Sequence, residues 1–273
     1  MKMQCFLDIL NILKDLPDKD VKEIGYNYLK QDKYMNTERT KSSAIMLDVY
    51  GSLRTDLSQE IVAELVFSSL PLNPDLIVQY MLSVAASDSP PHKVILQAME
   101  DICFHPEKFP KSLYNGNLYD RVLLALGAVA GKLFKNGEEE KAINITAKLH
   151  SLVGLHDPWV YRNKRATQTE EEQEKYDKTH VVLLEAIGNA GMDHSFEYII
   201  SHINSTNSPW IKRAAVHALR KYNTELAAQT MLKAAQFDQD ETVRYTASLL
   251  YESHPKFRND IQRPHNIKKK SIM

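Results

Sequence analysis

The segments RAAVHALR, at residues 213–220, and VRYTASLL, at residues 243–250, carry closely related patterns of basic and apolar side chains. Arg213 and Arg244 lie 31 positions apart (244 − 213 = 31), and this shift superposes small and aliphatic residues along both segments. A shift of 32 toward the N-terminus (216 − 184 = 32) places Val216 on Leu184. A pattern that recurs at this spacing is typical of stacked helical repeats.

The second helix of the repeating unit follows the shift of 32 (228 − 196 = 32). Its apolar residues Phe196, Ile199, Ile200 and Ile203 correspond to Ala228, Met231, Leu232 and Ala235. The spacing i, i+3, i+4, i+7 places each set on one face of a helix. A pair of helices with one apolar stripe each must stack on a neighbouring pair to bury it. The sequence therefore predicts an all-α protein of the α-α superhelix class, a horseshoe of paired antiparallel helices.

The turns between the helices carry a second signal. Asp238 and Asp240 precede Val243 and Arg244, and Ser208-Pro209 precedes Ile211 and Arg213. This order resembles the HEAT-repeat pattern, in which the arginine and the turn aspartate tie adjacent units together. We interpret Arg213 and Arg244 as structural ladder residues of a HEAT-like solenoid, in preference to binding residues.

Shorter amphipathic helices precede the repeats. Several begin with a capping residue followed by proline, as at Ser89-Pro90, because the cap satisfies an open amide and proline gives up one that has no partner. The predicted helices are 4–15, 20–31, 38–53, 58–70, 74–86, 90–103, 117–134 and 138–152.

The expected organisation is a single α-solenoid domain over residues 1–255, followed by a poorly packed tail over 256–273. Within the domain, residues 154–179 are predicted to form a charged loop, because a basic run and the run Glu170–Glu172 are segregated there.

Composition limits the class of protein. The chain has 273 residues with 34 basic and 35 acidic side chains, which argues against a face that binds nucleic acid. The sequence has no apolar run long enough to span a membrane. Met1–Leu16 lacks the pattern of a signal peptide, so either the protein is cytoplasmic or its true beginning is missing from this sequence. Cys5 and Cys103 are too few for a disulfide framework, and the sequence assigns them no role.

No motif for catalysis stands out. The sequence lacks a glycine-rich phosphate loop, a serine elbow and a His-Glu-x-x-His helix. Its ten histidines show no paired metal-ligand spacing, and there is no His-Glu dipeptide of the kind with which some HEAT-like enzymes bind iron. We therefore predict no enzyme activity, no catalytic or metal-binding residue and no cofactor, with an iron-dependent HEAT-type enzyme as the weakest alternative. Asn144 and Asn204 match the glycosylation sequon, which matters only in a secreted chain.

The run LLEAIGNAG at residues 183–191 resembles the Gly-Asn-Ala-Gly signature of the vitellogenin-type N-terminal region of large lipid transfer proteins. Residues 213–220, 243–247 and 249–255 resemble later repeats of that family, and residues 47–52 and 123–128 more loosely resemble its earlier helices. Three family features have no counterpart in this chain: the amino-terminal β-barrel, the lipid-cradling sheets and a cysteine pair between residue 123 and the signature.

The resemblance implies a non-catalytic helical scaffold in lipid transport or lipoprotein assembly. Its partner would be a lipid-binding β-sheet region of the same or another chain, with lipid contacted only indirectly. The resemblance also implies that the protein is secreted. It further implies that this chain is a fragment or a truncated relative of the family. The alternative reading is a free-standing HEAT-like adaptor that binds a protein on its concave face.

Overall fold

The computed structural model describes residues 2–30, 49–53, 55–68, 81, 84–85, 90–109, 118–155, 170–204 and 208–254. Every regular element in these ranges is helical. The predicted all-α, α-α superhelix fold is confirmed. The backbone divides into two compact units, residues 1–151 and residues 152–273. The single domain predicted over 1–255 remains a prediction.

The structure gives the bounds of six helices in the first unit, and residues 49–53 are helical as well. The six helices are α1 (Lys2–Lys14), α2 (Asp18–Lys30), α3 (Asp56–Ser68), α4 (Lys93–Phe104), α5 (Leu118–Lys135) and α6 (Glu139–Leu155), the last of which ends just beyond the unit. Helix α3 contacts α2 and α4, and α4 contacts α5. These four helices therefore pack side by side in the order in which they occur in the chain.

Tyr50 joins the helical segment 49–53 to α2. Its side chain is fully buried, and its hydroxyl donates to the backbone oxygen of Val21 at 2.6 Å. Gly25 lies under the ring, where an added Cβ would come within 2.9 Å of the phenol. Burial raises the pKa of Tyr50 to about 12, although a backbone hydrogen bond from Gly25 opposes the shift.

The second unit contains the repeats. Its helices are α7 (Glu170–Ala190), α8 (Phe196–Asn204), α9 (Pro209–Ala218), α10 (Glu225–Phe237) and α11 (Glu241–Ser253), with short 3-10 turns at Asp193–Ser195 and Leu219–Lys221. Helix α9 lies between α7 and α11 and contacts both. It also contacts α8, as α10 contacts α11. The alternate helices α7, α9 and α11 thus form a continuous stack.

Local chemistry sets the helix starts in this unit. Ser208 accepts a hydrogen bond from the backbone amide of Ile211 at 3.4 Å, and Pro209 follows it in the first turn. Thr224 accepts from the amide of Ala227 at 3.1 Å, and Asp240 from those of Thr242 and Val243. These caps satisfy amides that the first helical turn leaves open.

The helix bounds agree with the sequence in most described segments, with two differences. The helix predicted to begin at Pro90 begins at Lys93, where the side chain of His92 accepts a hydrogen bond from the backbone amide of Val94 at 3.4 Å. The predicted charged loop over 154–179 is helical up to Leu155 and from Glu170 onward, because Glu, Gln and Lys, which make up residues 170–175, have high helix propensity. Residues 156–169 lie outside the described residues, as do the tail 256–273 and most of the predicted helices 38–53 and 74–86.

Candidate functional site

A ladder of hydrogen bonds links the turns of successive repeats. The hydroxyl of Tyr222 donates to the backbone oxygen of Met192, 30 positions earlier, at 3.1 Å. His254 Nε2 donates to the backbone oxygen of Tyr222 at 3.0 Å, across 32 positions. The Tyr222 ring is buried and lies 5.4 Å from the ring of Phe196. Tyr222 therefore bridges three consecutive units.

The Tyr222→Phe variant tests the buried position of the Tyr222 hydroxyl through the dependence of stability on alkaline pH. Burial raises the pKa of Tyr222, a hydrogen bond with the Ser195 side chain opposes this shift, and the charge of Asp193 adds to it. An unfolded tyrosine loses its proton near pH ~10, so the folded state binds more protons above that pH and its stability falls as the pH rises. Urea titrations at several pH values should show a smaller alkaline loss for the variant. Parallel losses in both proteins would contradict the assignment.

A polar network joins α7 to the end of α9. His217 Nδ1 lies 2.8 Å from both carboxylate oxygens of Glu185. Arg220 donates to the side-chain oxygen of Asn189 and, at 2.9 Å, to the backbone oxygen of His217. Burial lowers the pKa of Arg220, and the nearby Glu185 carboxylate opposes this shift. The charged groups of this network therefore hold α7 and the end of α9 together.

The predicted arginine ladder is only partly correct. Arg244 Nη1 donates to the backbone oxygens of Asp238 and Gln239 at 2.8 and 2.9 Å. Lys212, however, is the residue that pairs with the Asp238 carboxylate, at 3.2 Å. Arg213 instead stacks on Trp210, with Cζ 4.5 Å from the ring centroid.

The repeat register explains this difference. The fully buried residues Ile211 and Ala215 correspond to the fully buried Val243 and Ala247 at a shift of 32 (243 − 211 = 32). That register places Lys212, and not Arg213, at the position of Arg244. Matching arginine to arginine in the sequence selected a shift of 31, one residue away from the register of the core.

Lys212→Met should lower the free energy of unfolding of the second unit by about 1.5–3 kcal/mol, because the Asp238 carboxylate then loses its charged partner. The Asp238 side chain is only 7% exposed. Lys141→Met is the matched control, since the Lys141–Glu138 pair is exposed at 63% and 41% and should contribute at most about 0.5 kcal/mol. Urea unfolding of both variants measures the difference. Equal losses would contradict the buried role of Lys212.

Exposed side chains lie on α9 and α11, which are neighbours in the stack. Trp210, Tyr245 and Leu249 are exposed at 61%, 66% and 50%, and Arg213 covers the Trp210 ring. Tyr245 and Leu249 are one helical turn apart, on one face of α11. In the register of 32, Tyr245 takes the position of Arg213 in the adjacent helix (245 − 213 = 32). We call these four residues the α9–α11 ridge.

The other residues singled out in the sequence are dispersed. Cys103 is buried, and burial followed by the charge of Glu100 raises its thiol pKa. Asn144 lies exposed inside α6, beside a buried Thr146, and Asn204 is the exposed last residue of α8. Glycosylation at these two positions stays a prediction, and the side chain of Cys5 lies outside the described structure.

Two buried histidines form a contact that the sequence did not indicate. The rings of His180 and His202 meet edge to face at 5.0 Å, and His202 Nδ1 donates to the backbone oxygen of Tyr198 at 2.9 Å. Among the described residues, no group of three His, Cys, Asp or Glu side chains is arranged to hold a metal ion. The ladder was also missed, although the spacing of Met192, Tyr222 and His254 follows the repeat length.

Comparison with known proteins identifies HEAT repeats over residues 172–250. No curated protein matches the chain. The resemblance to the vitellogenin-type lipid transfer family is therefore wrong: the repeats that suggested it match the HEAT-repeat family model. In the part of the chain that the structure describes, no helix combines the length and apolar character needed to cross a membrane.

The structure gives a physical reason for the misleading signature. An added Cβ at Gly188 would lie 2.5 Å from the Cα of Ala218, so glycine is required where α7 and α9 cross. Asn189 accepts from Arg220, Ala190 is buried, and Gly191 has a φ of +61° at the helix end. The Gly-Asn-Ala-Gly run thus meets the packing needs of a closely stacked helix and its turn.

Proposed function

We propose that this chain is a non-catalytic scaffold of helical repeats that binds another protein through its solenoid surface. The HEAT-repeat match over residues 172–250 is the observation that carries the proposal. The stack of α7, α9 and α11 supports it, because stacked repeats offer an extended surface on a rigid frame.

The use of reactive side chains supports a non-catalytic role. Glu185, His217 and Arg220, the group that most resembles acid–base machinery, hold two helices together. The Cys103 thiol is buried with a raised pKa, which disfavours the reactive thiolate. The polar contacts between α7 and the end of α9 therefore make the second unit rigid, as a binding scaffold requires.

Purification of the tagged full chain from cells that express it tests the proposal. We expect a stable species whose mass by light scattering exceeds the 31.3 kDa of the chain, containing a second protein in fixed proportion. Mixing the two purified proteins should restore the complex. A monomer without a protein partner, or a species that carries only lipid, would contradict the proposal.

Tyr222→Ala provides the structural control for this experiment. Because Tyr222 connects three repeat turns, its loss should disrupt the stack and release a partner that depends on it. Phe134→Ala changes an exposed apolar residue of the first unit, 43% accessible, and should leave binding to the second unit intact.

A further inference from the structure

We propose that the α9–α11 ridge is the docking surface for an acidic, amphipathic segment of a partner protein. The inference rests on the proposed scaffold function and adds the surface and the chemistry of its ligand. Three exposed apolar side chains, Trp210, Tyr245 and Leu249, supply contact area. Arg213 supplies a positive charge over the face of the Trp210 ring.

The charge of Arg213 selects the partner. Lys212 is neutralised by Asp238 at 3.2 Å, and Arg220 lies 3.6 Å from Glu185. Within the described residues, no carboxylate pairs with Arg213, whose contact is the ring of Trp210. A guanidinium held over an aromatic face keeps its donors available for a carboxylate, which it binds in two-point geometry.

The sequence around Arg213 strengthens the preference for an acidic ligand. Residues 209–221, PWIKRAAVHALRK, contain four Lys and Arg residues and neither Asp nor Glu. Because Lys212 and Arg220 are already paired with Asp238 and Glu185, Arg213 is the cation that repels a basic ligand and attracts an acidic one.

The apolar residues set the second requirement. Tryptophan, tyrosine and arginine are the residues most enriched where binding energy concentrates in protein interfaces. Trp210 and Tyr245 present rigid aromatic area on adjacent helices, and the caps and ladder hold those helices in place. The ligand therefore needs apolar side chains that cover both aromatic rings, with a carboxylate placed beside them to meet Arg213.

A random peptide library displayed on phage, selected on the full chain, tests this specificity. Trp210→Ala serves as the counter-selection. Enriched peptides should combine Asp or Glu with Leu, Ile or Phe at helical spacing. Selected peptides are then synthesised, together with versions in which Lys replaces the acidic residues, and their binding is measured by fluorescence anisotropy.

Arg213→Glu and Trp210→Ala should each weaken the acidic peptides by about tenfold or more, because each removes a central contact. Arg213→Glu should also bind the Lys versions better than the wild-type chain does. Phe237→Ala is the matched control: Phe237 is more exposed than any ridge residue, at 73%, but lies outside the ridge, and its loss should change binding by less than about twofold.

Several outcomes overturn the docking proposal. They are enrichment of basic peptides, equal binding of the Glu and Lys versions, equal weakening by Phe237→Ala, or no binding to the wild-type chain. Self-association abolished by Trp210→Ala would assign the ridge to a second copy and also overturn it. A natural partner that still binds the ridge variants rejects the ridge but keeps the scaffold function, whereas the absence of any natural protein partner rejects the scaffold function and the docking proposal together.

Discussion

Tyr222→Ala is expected to lower the free energy of unfolding of the second unit by about 3–5 kcal/mol, the cost of removing a large buried aromatic side chain. The side chain is 2% exposed, and the variant loses the ring contact with Phe196 and the hydrogen bond to Met192. A loss of this size is a large part of the stability of an ordinary domain.

Urea unfolding followed by Trp210 fluorescence measures the effect, after Trp159→Phe has removed the other tryptophan. Tyr245→Ala is the matched control, since it removes the same side chain from a site that is 66% exposed; its cost should stay within about 0.5 kcal/mol. Tyr222→Phe, which keeps the ring, should cost about 1 kcal/mol. Similar losses for Tyr222→Ala and Tyr245→Ala would show that the ladder does not stabilise the stack.

Gly188→Leu is expected to destabilise the second unit by about 3 kcal/mol or more, because overpacking forces backbone to move. An added Cβ would lie 2.5 Å from Cα and Cβ of Ala218 and 3.0 Å from its backbone oxygen. The obstacle is backbone on a neighbouring helix, so no side-chain rotation can relieve it. The two helices must separate.

Gly188→Ala tests the same contact with a smaller change. Alanine gains about 1 kcal/mol of helix propensity over glycine, so a net loss would demonstrate steric conflict. Ala218→Gly in the same chain removes one of the two colliding methyl groups, and the double variant should lose less than the sum of the single variants. A stabilising Gly188→Ala substitution would contradict the close crossing of α7 and α9.

Most of the fold could be predicted because helix formation depends on local patterns. The apolar spacing at Phe196, Ile199 and Ile203 predicted a helix with one buried face, and these three side chains are buried in α8. Ser208-Pro209 predicted the start of α9, and the Ser208 side chain caps it. These features act within one or two turns of chain, so a single sequence contains them.

The family assignment failed for a related reason. Gly188 and Gly191 serve close packing and a left-handed turn, which any tightly stacked repeat can require. A short run of such residues reports local geometry and carries little information about ancestry. The match to HEAT repeats over 172–250 identifies the repeat architecture.

The candidate ridge could be predicted only in part. The sequence shows that Trp210, Arg213 and Tyr245 are present, but it does not show that Trp210 and Tyr245 are exposed or that Lys212, and not Arg213, pairs with Asp238. The segment from Ala214 to Leu219 is almost wholly small or aliphatic, so shifts of 31 and 32 both match apolar residues with apolar residues. One residue of shift rotates the assignment by about 100° around a helix, and so changes which cation faces the neighbouring turn.

The sequence by itself determined that the chain is helical, where most helices begin, and that a unit of about thirty residues repeats. The tertiary structure decided the register of the stack, the bridging role of Tyr222 and the exposure of the ridge. Helices and caps arise from residues close together in the chain, whereas these contacts join residues 30 to 32 positions apart. Their geometry is set only when neighbouring repeats pack.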